Sequence, residues 1–531
     1  MQTTSIFEII GPEMIGPSSS HTAGMVRIGM MARRIAGPPR KVELYMHQMF
    51  QYLYKGHKTD AALVGGAIGM DQKDERLRSA LSVAAQMGVV IGPMRFYPDT
   101  TLHPNTVGMT IWNERSCHVR GISIGGGSVV IDQIDGAAVT VLADRYAIIV
   151  WSDADLSGRL AARDGVSVTG GKADRGYVYA LCSALPFPAS LQEELAALPE
   201  VRHIQPVEPL LEFGCAPDLT DIPDSIAALT ARAAQEKLPL WKLSLGYEQA
   251  RSGQSADEIL ARMAQYWHRM KTCVEAATAQ PQQPLYGLVD GKDAQRLRAY
   301  AKEKPSVCGA AMLDAVQKAL AVMEYNASMG CIVAAPTAGS SGIVPACLTA
   351  LQERFSLSDE DLVHALLVAG IFGVAMAHRG ASFSGAVGGC QAEVGVSGAI
   401  AAAAIASVLT ADPQPPAHAM AICMKNILGL VCDPIAGPIE VPCVKRNAIG
   451  VANALVSADL ALAGITSYVP PDEVIDAFLD VERRMPKEVK AGGAGALASS
   501  PCAKALRRSL EDGSFLRSIA PSPIAPVEKI V

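Results

Sequence analysis

Residues 394–411 read VGVSGAIAAAAIASVLTA and form the longest uncharged stretch in the alanine-rich region of the chain. Small and apolar residues would occupy every side of a helix built from them, which is typical of a helix buried on all faces. The stretch has barely the length needed to cross a bilayer, and it contains Gly, Ser and Thr. We therefore predict the central helix of a helical domain rather than a membrane span.

The chain has helical spacing on both sides of this stretch, throughout residues 211–531. Pro470 and Pro471 precede the last of the predicted helices, a position typical of a helix start. We predict a loop at residues 276–284 and an extended or loosely held tail at 520–531, which contains three prolines. The predicted helices are 225–235, 255–275, 310–323, 359–377, 417–427, 448–463 and 472–484.

Residues 146–210 alternate strands and helices in the order β-α-β-β-α-β, which is typical of a ferredoxin-like unit. This unit resembles the ACT regulatory domain. The ligand loop of that family usually reads Asp-x-x-Gly, whereas residues 153–158 here read DADLSG. Effector binding and a purely structural role therefore both stay open. The predicted strands are 146–151, 166–169, 177–184 and 201–207, and the predicted helices are 154–163 and 190–198.

Residues 1–145 mix strands and helices, so we predict an α/β domain there. The predicted fold class is thus multidomain, with an α/β N-terminal domain, a ferredoxin-like middle domain and a mostly α-helical C-terminal domain. The predicted N-terminal helices are 26–35, 61–68 and 76–87, and the predicted strands are 41–45, 106–112 and 128–134.

Composition excludes several classes of protein. The 531 residues carry a net charge of −6, 5% aromatic residues and no prominent Lys/Arg run, so nucleic acid is not an expected partner. Twelve cysteines are too few for a disulfide scaffold of this length. The first residues, MQTTSIFEIIGPEM, lack the basic and apolar regions of a secretory signal. These features predict a cytoplasmic protein.

Four polar or glycine-rich loop segments in the N-terminal half are candidates for chemistry: GPSSSHTAG at 16–24, KGHKTD at 55–60, HPNT at 103–106 and SIGGGS at 123–128. Hydroxyls and backbone N–H groups at a helix entry suit a carboxylate or a phosphate. An imidazole between Gly and a charged residue, as at His57, can be presented in its neutral form. Each segment taken alone also suits an ordinary cap or surface turn.

Three cysteines differ from the others in their loop context. Cys390, Cys432 and Cys443 lie in or near segments with Gly or Pro, with gaps of 42 and 11 residues, so their spacing alone does not indicate a metal. Three ligands would leave one iron of a cubane cluster, or one face of a zinc ion, open. The loop APTAGSSG at 335–342 is either an anion cradle or a plain turn. Cysteines in apolar helical stretches are expected to be packing residues, namely Cys308, Cys331, Cys347 and Cys423.

Together these segments resemble the iron–sulfur-dependent L-serine dehydratases. The resemblance implies a β-type domain at 1–145, an ACT-like domain at 146–210 and an α-type domain at 211–531 that carries the iron–sulfur site. It also implies oligomerisation, since ACT-like units often pair, and so predicts a homo-oligomer. The matched pieces follow the family's order: GPSSSHTAG, KGHKTD, HPNT, GISIGGG, NASMG, PTAGSSGI, GGCQAEVG, GLVCDPIAG and EVPCVKRNA.

The resemblance implies that Cys390, Cys432 and Cys443 hold a [4Fe–4S] cluster with one free iron, and that pyridoxal phosphate is not needed. An open iron would act as a Lewis acid on the β-hydroxyl of L-serine, while a base takes the α-proton. Loss of water then leads to pyruvate and ammonia.

The resemblance also suggests roles for the polar residues of the matched motifs. His57 is the predicted base. His21 and Ser20 would bind the substrate carboxylate or shuttle a proton. The remaining predicted substrate contacts are Thr337, Gly339 and Ser340, which would cradle the carboxylate or ammonium, and Ser384 and Lys445, which would orient cluster or substrate.

Three places depart from the family beside expected substrate contacts. Residues 47–53 read HQMFQYL where relatives resemble YGSxAxT, Lys58 replaces a Gly, and residues 380–385 read GASFSG rather than NASISG.

The same elimination on another β-hydroxy or β-thiol amino acid is therefore an alternative, and an inactive amino-acid-binding regulator is a second. A zinc hydrolase is less favoured because no His/Glu ligand pair at helical spacing accompanies the cysteines. We predict a structural role for Cys502.

Overall fold

The computed structural model describes residues 3–52, 54–125, 127–160, 165–210, 219 and 221–511. The predicted tail at 520–531 lies outside the described residues, as do Leu53 and the last residues of the predicted helix 154–163.

The N-terminal part is built on a six-stranded sheet with helices packed on it. Its strand order is β3-β2-β4-β5-β6-β7; β2 and β3 are parallel and the other pairs are antiparallel. The elements are α1 (Ile6–Ile9), β1 (Glu13–Ile15), α2 (Gly24–Ala36), β2 (Lys41–Met46), α3 (Thr59–Ala67), α4 (Ala80–Gln86), β3 (Val90–Phe96), β4 (Thr106–Trp112), β5 (Ser116–Gly125), β6 (Ser128–Ile134) and β7 (Ala137–Leu142).

Residues 146–207 form a β-α-β-β-α-β unit whose antiparallel sheet has the order β11-β8-β10-β9. Alternate side chains on β8 and β10 face opposite sides of this sheet. Ile148 and Leu181 pack under the two helices, whereas Ile149 and Ala180 join the core of the N-terminal part. The elements are β8 (Tyr146–Ser152), α5 (Ser157–Leu160), β9 (Val166–Lys172), β10 (Tyr177–Ser183), α6 (Ala189–Ala196) and β11 (Val201–Val207).

The C-terminal part is helical, with one short strand that pairs with β1 of the N-terminal part. Its elements are α7 (Ile226–Glu236), α8 (Leu240–Ser252), α9 (Ala256–Ala279), α10 (Asp293–Glu303), α11 (Ala310–Ala327), β12 (Cys331–Val333), α12 (Ile343–Phe355), α13 (Asp359–His378), α14 (Gly385–Gly388), α15 (Val394–Leu409), α16 (Gln414–Lys425), α17 (Cys443–Leu462), α18 (Pro471–Arg484) and α19 (Pro501–Glu511).

The alanine-rich helix α15 lies at the centre of the largest apolar core. Its residues 399–404 are completely buried, and it contacts α12, α13, α16 and α17. The prediction of a helix buried on all faces is therefore confirmed. Two segments, Asp359–His378 and Cys390–Leu409, are long and apolar enough to cross a membrane, but 78% of each is buried inside the structure, which is typical of core helices.

Several predicted boundaries were wrong. The predicted loop at 276–284 begins inside α9, which continues to Ala279 because its last turn still buries Ala277. The predicted helix 448–463 starts five residues earlier, at Cys443. The segment SIGGGS was predicted as a loop, yet β5 continues to Gly125. The strands β3, β5 and β7 were missed, since Gly, Pro and charged residues interrupt the first two and β7 is short.

Candidate functional site

Three cysteines from separate segments converge in the helical part. Cys390 begins a short 3-10 turn ahead of α15, Cys432 lies in the loop after α16, and Cys443 is the first residue of α17. Gly389, with φ of 74°, supplies the left-handed backbone that turns the chain into Cys390. All three cysteines are buried. The sequence separates them by 42 and 11 residues, and the fold brings them to one place.

A carboxylate accompanies the thiols. The potential ligand atoms of Cys390, Glu393 and Cys432 all lie within 4.8 Å of one another. Burial raises the pKa of Glu393 to about 7, against the lowering effects of the Thr337 hydroxyl and of Arg446. The carboxyl group therefore takes up a proton more readily than an ordinary glutamate, and in its neutral form it can donate as well as accept a hydrogen bond.

Two glycines allow this carboxylate to approach the backbone closely. A Cβ atom at Gly385 would lie 2.8 Å from Glu393 Oε2 and 2.9 Å from Cys432 Sγ. A Cβ atom at Gly339 would lie 3.2 Å from Glu393 Oε1. Any side chain at Gly385 would therefore press on the thiol and the carboxylate.

Arg446 places a positive charge beside the thiols. Its guanidinium donates to Asp433 Oδ1 and to the Val431 carbonyl, both at 2.8 Å. A hydrogen bond with Cys390, together with burial, raises the pKa of Cys432 well above its usual range, and burial raises that of Cys443. Three thiolates are thus unfavourable here without a bound cation. Clustered thiols in a buried site lined by glycines fit an iron–sulfur cluster, because thiolates are its usual ligands.

The loop from Thr337 to Gly342 lies against the same site. The hydroxyls of Thr337 and Ser340 are 3.1 Å apart, and both side chains are buried. Asn447 joins this loop to the cysteine helix: its Nδ2 donates to the carbonyls of Gly339 and Cys443, and its Oδ1 accepts from the Gly342 N–H. The loop and the third cysteine are therefore held as one unit.

Ser384 and Lys445 occupy different surroundings. Ser384 is buried one residue before Gly385, and its Oγ accepts from the Ala386 N–H. The Lys445 side chain is 63% exposed, and its Nζ donates to Asp293 at 2.6 Å. The structure thus brings Ser384 to the cysteine site and directs the Lys445 ammonium elsewhere. Cys502 is exposed on α19.

The N-terminal part contributes a pair of stacked histidines. The rings of His21 and His57 are nearly parallel with centroids 4.7 Å apart, and Phe50 packs edge-on against His21. Asn105 Nδ2 donates to the Ser123 carbonyl, so its Oδ1 faces His21 Nε2 as the acceptor, at 3.0 Å. This assigns the proton of neutral His21 to Nε2.

His57 has no such partner. Both of its ring nitrogens are buried and lack a hydrogen bond among the described residues. Burial, reinforced by His21, holds the pKa of His57 well below its usual range, and burial lowers the pKa of His21 to about 4. Burial therefore keeps both imidazoles neutral at pH 7, and no group among the described residues uses the lone-pair capacity of His57.

Two threonine hydroxyls link the two histidine loops to each other. Thr22 Oγ1 donates to the His57 carbonyl at 2.7 Å, and Thr59 Oγ1 donates to the His21 carbonyl at 2.9 Å. Ser20 is buried in the same turn as His21.

The histidine pair lies beside the cysteine loops. A Cβ atom at Gly56, next to His57, would lie 3.0 Å from the backbone of Gly437 and Pro438, in the segment between the second and third cysteines. Ala23 shares an apolar cluster with Val444, the residue after the third cysteine. The loops that carry the two histidines thus contact the segments that flank the third cysteine, at the boundary of the N-terminal and helical parts.

Sequence reasoning did not single out Glu393, Arg446, Asn447 or Asn105. Each lies inside a segment that had been noted, three of them close to a cysteine and the fourth in HPNT. These residues could have been found as charged or amide side chains within segments of small residues. Such a group must form hydrogen bonds or ion pairs when it is buried.

Comparisons with known proteins agree with this site. Residues 235–498 match the family model described as "Serine dehydratase alpha chain". The chain is 50% identical over 225 residues to the "Probable L-serine dehydratase, alpha chain" of Bacillus subtilis, covering 42% of this chain and 75% of that protein. It is 41% identical over 152 residues to the "Probable L-serine dehydratase, beta chain" of the same organism, covering 28% and 69%. It is also 28% identical over 532 residues to "L-serine dehydratase 2" of Escherichia coli, covering 93% and 98%.

Proposed function

Because the chain belongs to the L-serine dehydratase family, we propose that it is an L-serine ammonia-lyase that converts L-serine to pyruvate and ammonia. The observation that carries this proposal is the convergence of three buried cysteines, together with a buried His57 that has no hydrogen bond among the described residues and whose loop contacts the segment between the second and third cysteines. The similarity to separate alpha and beta chains, and over nearly full length to one single chain, supports a single-chain enzyme of this type.

Cys390, Cys432 and Cys443 would hold a [4Fe–4S] cluster. When bound, such a cluster supplies a Lewis acid that stabilises the departing hydroxide, because three protein ligands leave one iron free. Arg446 offsets part of the negative charge of the thiolates, since its guanidinium lies near Cys390.

The residues of the chain would bind and orient the substrate. Thr337, Gly339 and Ser340 form a buried loop whose hydroxyls and backbone N–H groups suit a carboxylate. His57 would take the α-proton, because its ring is neutral and both nitrogens are unpartnered. His21 and Ser20 would assist at the carboxylate or in proton transfer, and Ser384 would orient cluster or substrate. Lys445 keeps its predicted role only if it leaves Asp293.

The domain boundaries and the cellular setting are also proposals. We place a β-type domain at 1–145, an ACT-like domain at 146–210 and the α-type domain at 211–531. The strand order β11-β8-β10-β9 supports a ferredoxin-like, ACT-like middle domain. A cytoplasmic homo-oligomer remains the expectation.

A different substrate is the second candidate. Lys58, which stands where relatives have Gly, adopts a left-handed conformation with φ of 53° and lines a pocket of about 370 Å³ next to the His57 loop. With this substitution beside the proposed base, the same elimination would act on another β-hydroxy or β-thiol amino acid.

Anaerobic purification followed by iron and sulfide analysis tests the proposal. We expect about four irons per chain, and release of ammonia and 2-oxo acid from L-serine. A panel of β-substituted amino acids, including L-threonine and L-cysteine, ranks the two substrate candidates by kcat/KM. Metal-free protein with full activity, or iron-loaded protein with no activity on any member of the panel, would contradict the proposal.

A further inference from the structure

A large cavity lies away from the three site cysteines and from the His21 and His57 pair. It is a cleft of about 1000 Å³ between the six-stranded sheet and the four-stranded sheet. Arg40 and Arg115 line it from the ends of β2 and β4, and Arg175 lines it from the hairpin between β9 and β10. A cleft of this volume can take a small metabolite.

Most arginines of this cleft have no carboxylate paired with them among the described residues. Among the described residues, Arg40, Arg115 and Arg175 form no ion pair within 4.0 Å. A fourth arginine of the lining, Arg202, is already paired with Asp153, which lies outside the lining. Arg40 and Arg175 are exposed and Arg115 is half-buried, so a bound anion would supply charge-assisted hydrogen bonds that these guanidinium groups lack among the described residues.

The carboxylates of the lining do not supply that anion. Asp135 Oδ1 accepts from the His118 N–H at 2.7 Å, and its Oδ2 accepts from the Trp151 indole N–H at 2.8 Å. Glu114 and Asp174 are exposed and make no ion pair with an arginine of the cleft. The positive charge on both walls therefore remains available to a ligand.

The lining also contains donor groups with unused capacity. The Arg115 guanidinium stacks over the Trp151 ring at 4.4 Å, which fixes its plane and leaves its edge N–H groups free for a ligand. His203 packs against the same ring, and its Nε2 is buried without a hydrogen-bond partner. A planar guanidinium and an unpartnered imidazole nitrogen are suited to carboxylate or phosphate oxygens.

We propose that this cleft binds a small metabolite that carries two or more carboxylate or phosphate groups. One anionic group alone cannot neutralise arginines that stand on both walls, so a polyanion that bridges Arg40 or Arg115 to Arg175 fits best. This site adjoins the DADLSG loop at 153–158 through the ion pair of Arg202 with Asp153, and it does not depend on the reaction at the cysteines.

Isothermal titration calorimetry on the full, anaerobically purified chain tests the proposal. The probe is propane-1,2,3-tricarboxylate, and the controls with a single anionic group are inorganic phosphate and propionate. We expect saturable binding of the tricarboxylate and no comparable binding of either control. The double variant Arg40→Gln/Arg175→Gln should weaken binding about tenfold or more, because each lost charge-assisted contact is substantial.

The control variant is Arg484→Gln, whose guanidinium is exposed and pairs with Asp480 on α18. It should bind as the wild type does. Hydrogen exchange of the wild-type chain gives a second measurement that needs no variant: the bound polyanion should protect residues 110–118 and 172–177. Absence of saturable binding, equal affinity in the double variant, or no protection at these segments would overturn the proposal. None of these measurements depends on turnover of serine.

Discussion

The cysteine site and the histidine pair are both buried, but the groups that surround them differ in charge. The cysteine site contains charged partners, since Arg446 pairs with an almost completely buried Asp433 and Glu393 lies among the thiols. The described ring and hydrogen-bond partners of His21, Phe50 and Asn105, are neutral. The first site therefore surrounds its thiols with charged groups, whereas the second keeps its imidazoles in a buried environment that disfavours their protonation.

Removing a cysteine should have the largest effect. In Cys432→Ser, we expect the iron content to fall and ammonia release to drop to background, because a hydroxyl is a much poorer ligand for iron than a thiolate. Iron and sulfide analysis under anaerobic conditions measures this. Cys347→Ala is the matched control, since Cys347 is equally buried but lies within α12. Equal iron loss in both variants would contradict the assignment.

Removing the proposed base should leave the cysteine site intact. For His57→Ala, we expect kcat to fall by about 10²–10⁴-fold, the typical contribution of a positioned general base, at unchanged iron content. His364→Ala is the control, because His364 stacks on Trp241 in the helical part. Near-wild-type turnover in an iron-loaded His57→Ala protein would refute the role of His57 as the base.

Replacing Arg446 tests whether its positive charge stabilises the thiolates. In Arg446→Gln, we expect the affinity for iron to fall by about 10–100-fold, as is typical when a partner of a metal ligand is lost. The rate of iron transfer to a chelator under anaerobic conditions reports this change. Arg379→Gln is the control, because it removes an ion pair with Asp476 elsewhere. If the two variants lose iron at the same rate, Arg446 has no special part in holding it.

The pH dependence should show the smallest change. An imidazole with its pKa lowered stays neutral as pH falls through 6.5, so the base remains available on the acid side. We expect kcat/KM for serine to stay flat between roughly pH 7.5 and 6, where an unperturbed histidine would lose activity. An acid limb with its midpoint near 6.5 would show that His57 is not held neutral by burial.

Some elements could be predicted because local pattern and tertiary packing agree. The strands Thr106–Trp112, Ser128–Ile134 and Val201–Val207 coincide with their predicted bounds, since their apolar residues alternate or cluster over a short run. The elements that were missed, such as β5, contain Gly, Arg and His that propensity alone does not place in a strand. Pairing with β4 and β6 on both sides makes this segment a strand.

Some of the functional residues could be predicted from the sequence and others could not. The cysteines and histidines could be named because their residue types and motifs restrict the chemistry they can perform. Glu393, Arg446 and Asn105 could not, since their importance lies in contacts with residues far away in the chain: Glu393 with Cys432, and Asn105 with His21 across 84 positions.

The sequence by itself determined the helical core around residues 394–411, the order of motifs and the identity of the thiol and imidazole groups, because periodicity and residue chemistry are local properties. Only the tertiary structure decided that three cysteines converge, that burial keeps both histidines neutral, and that three arginines line one cleft without an ion pair among the described residues. Burial and charge depend on the neighbours that folding brings together, and no window of sequence contains those neighbours.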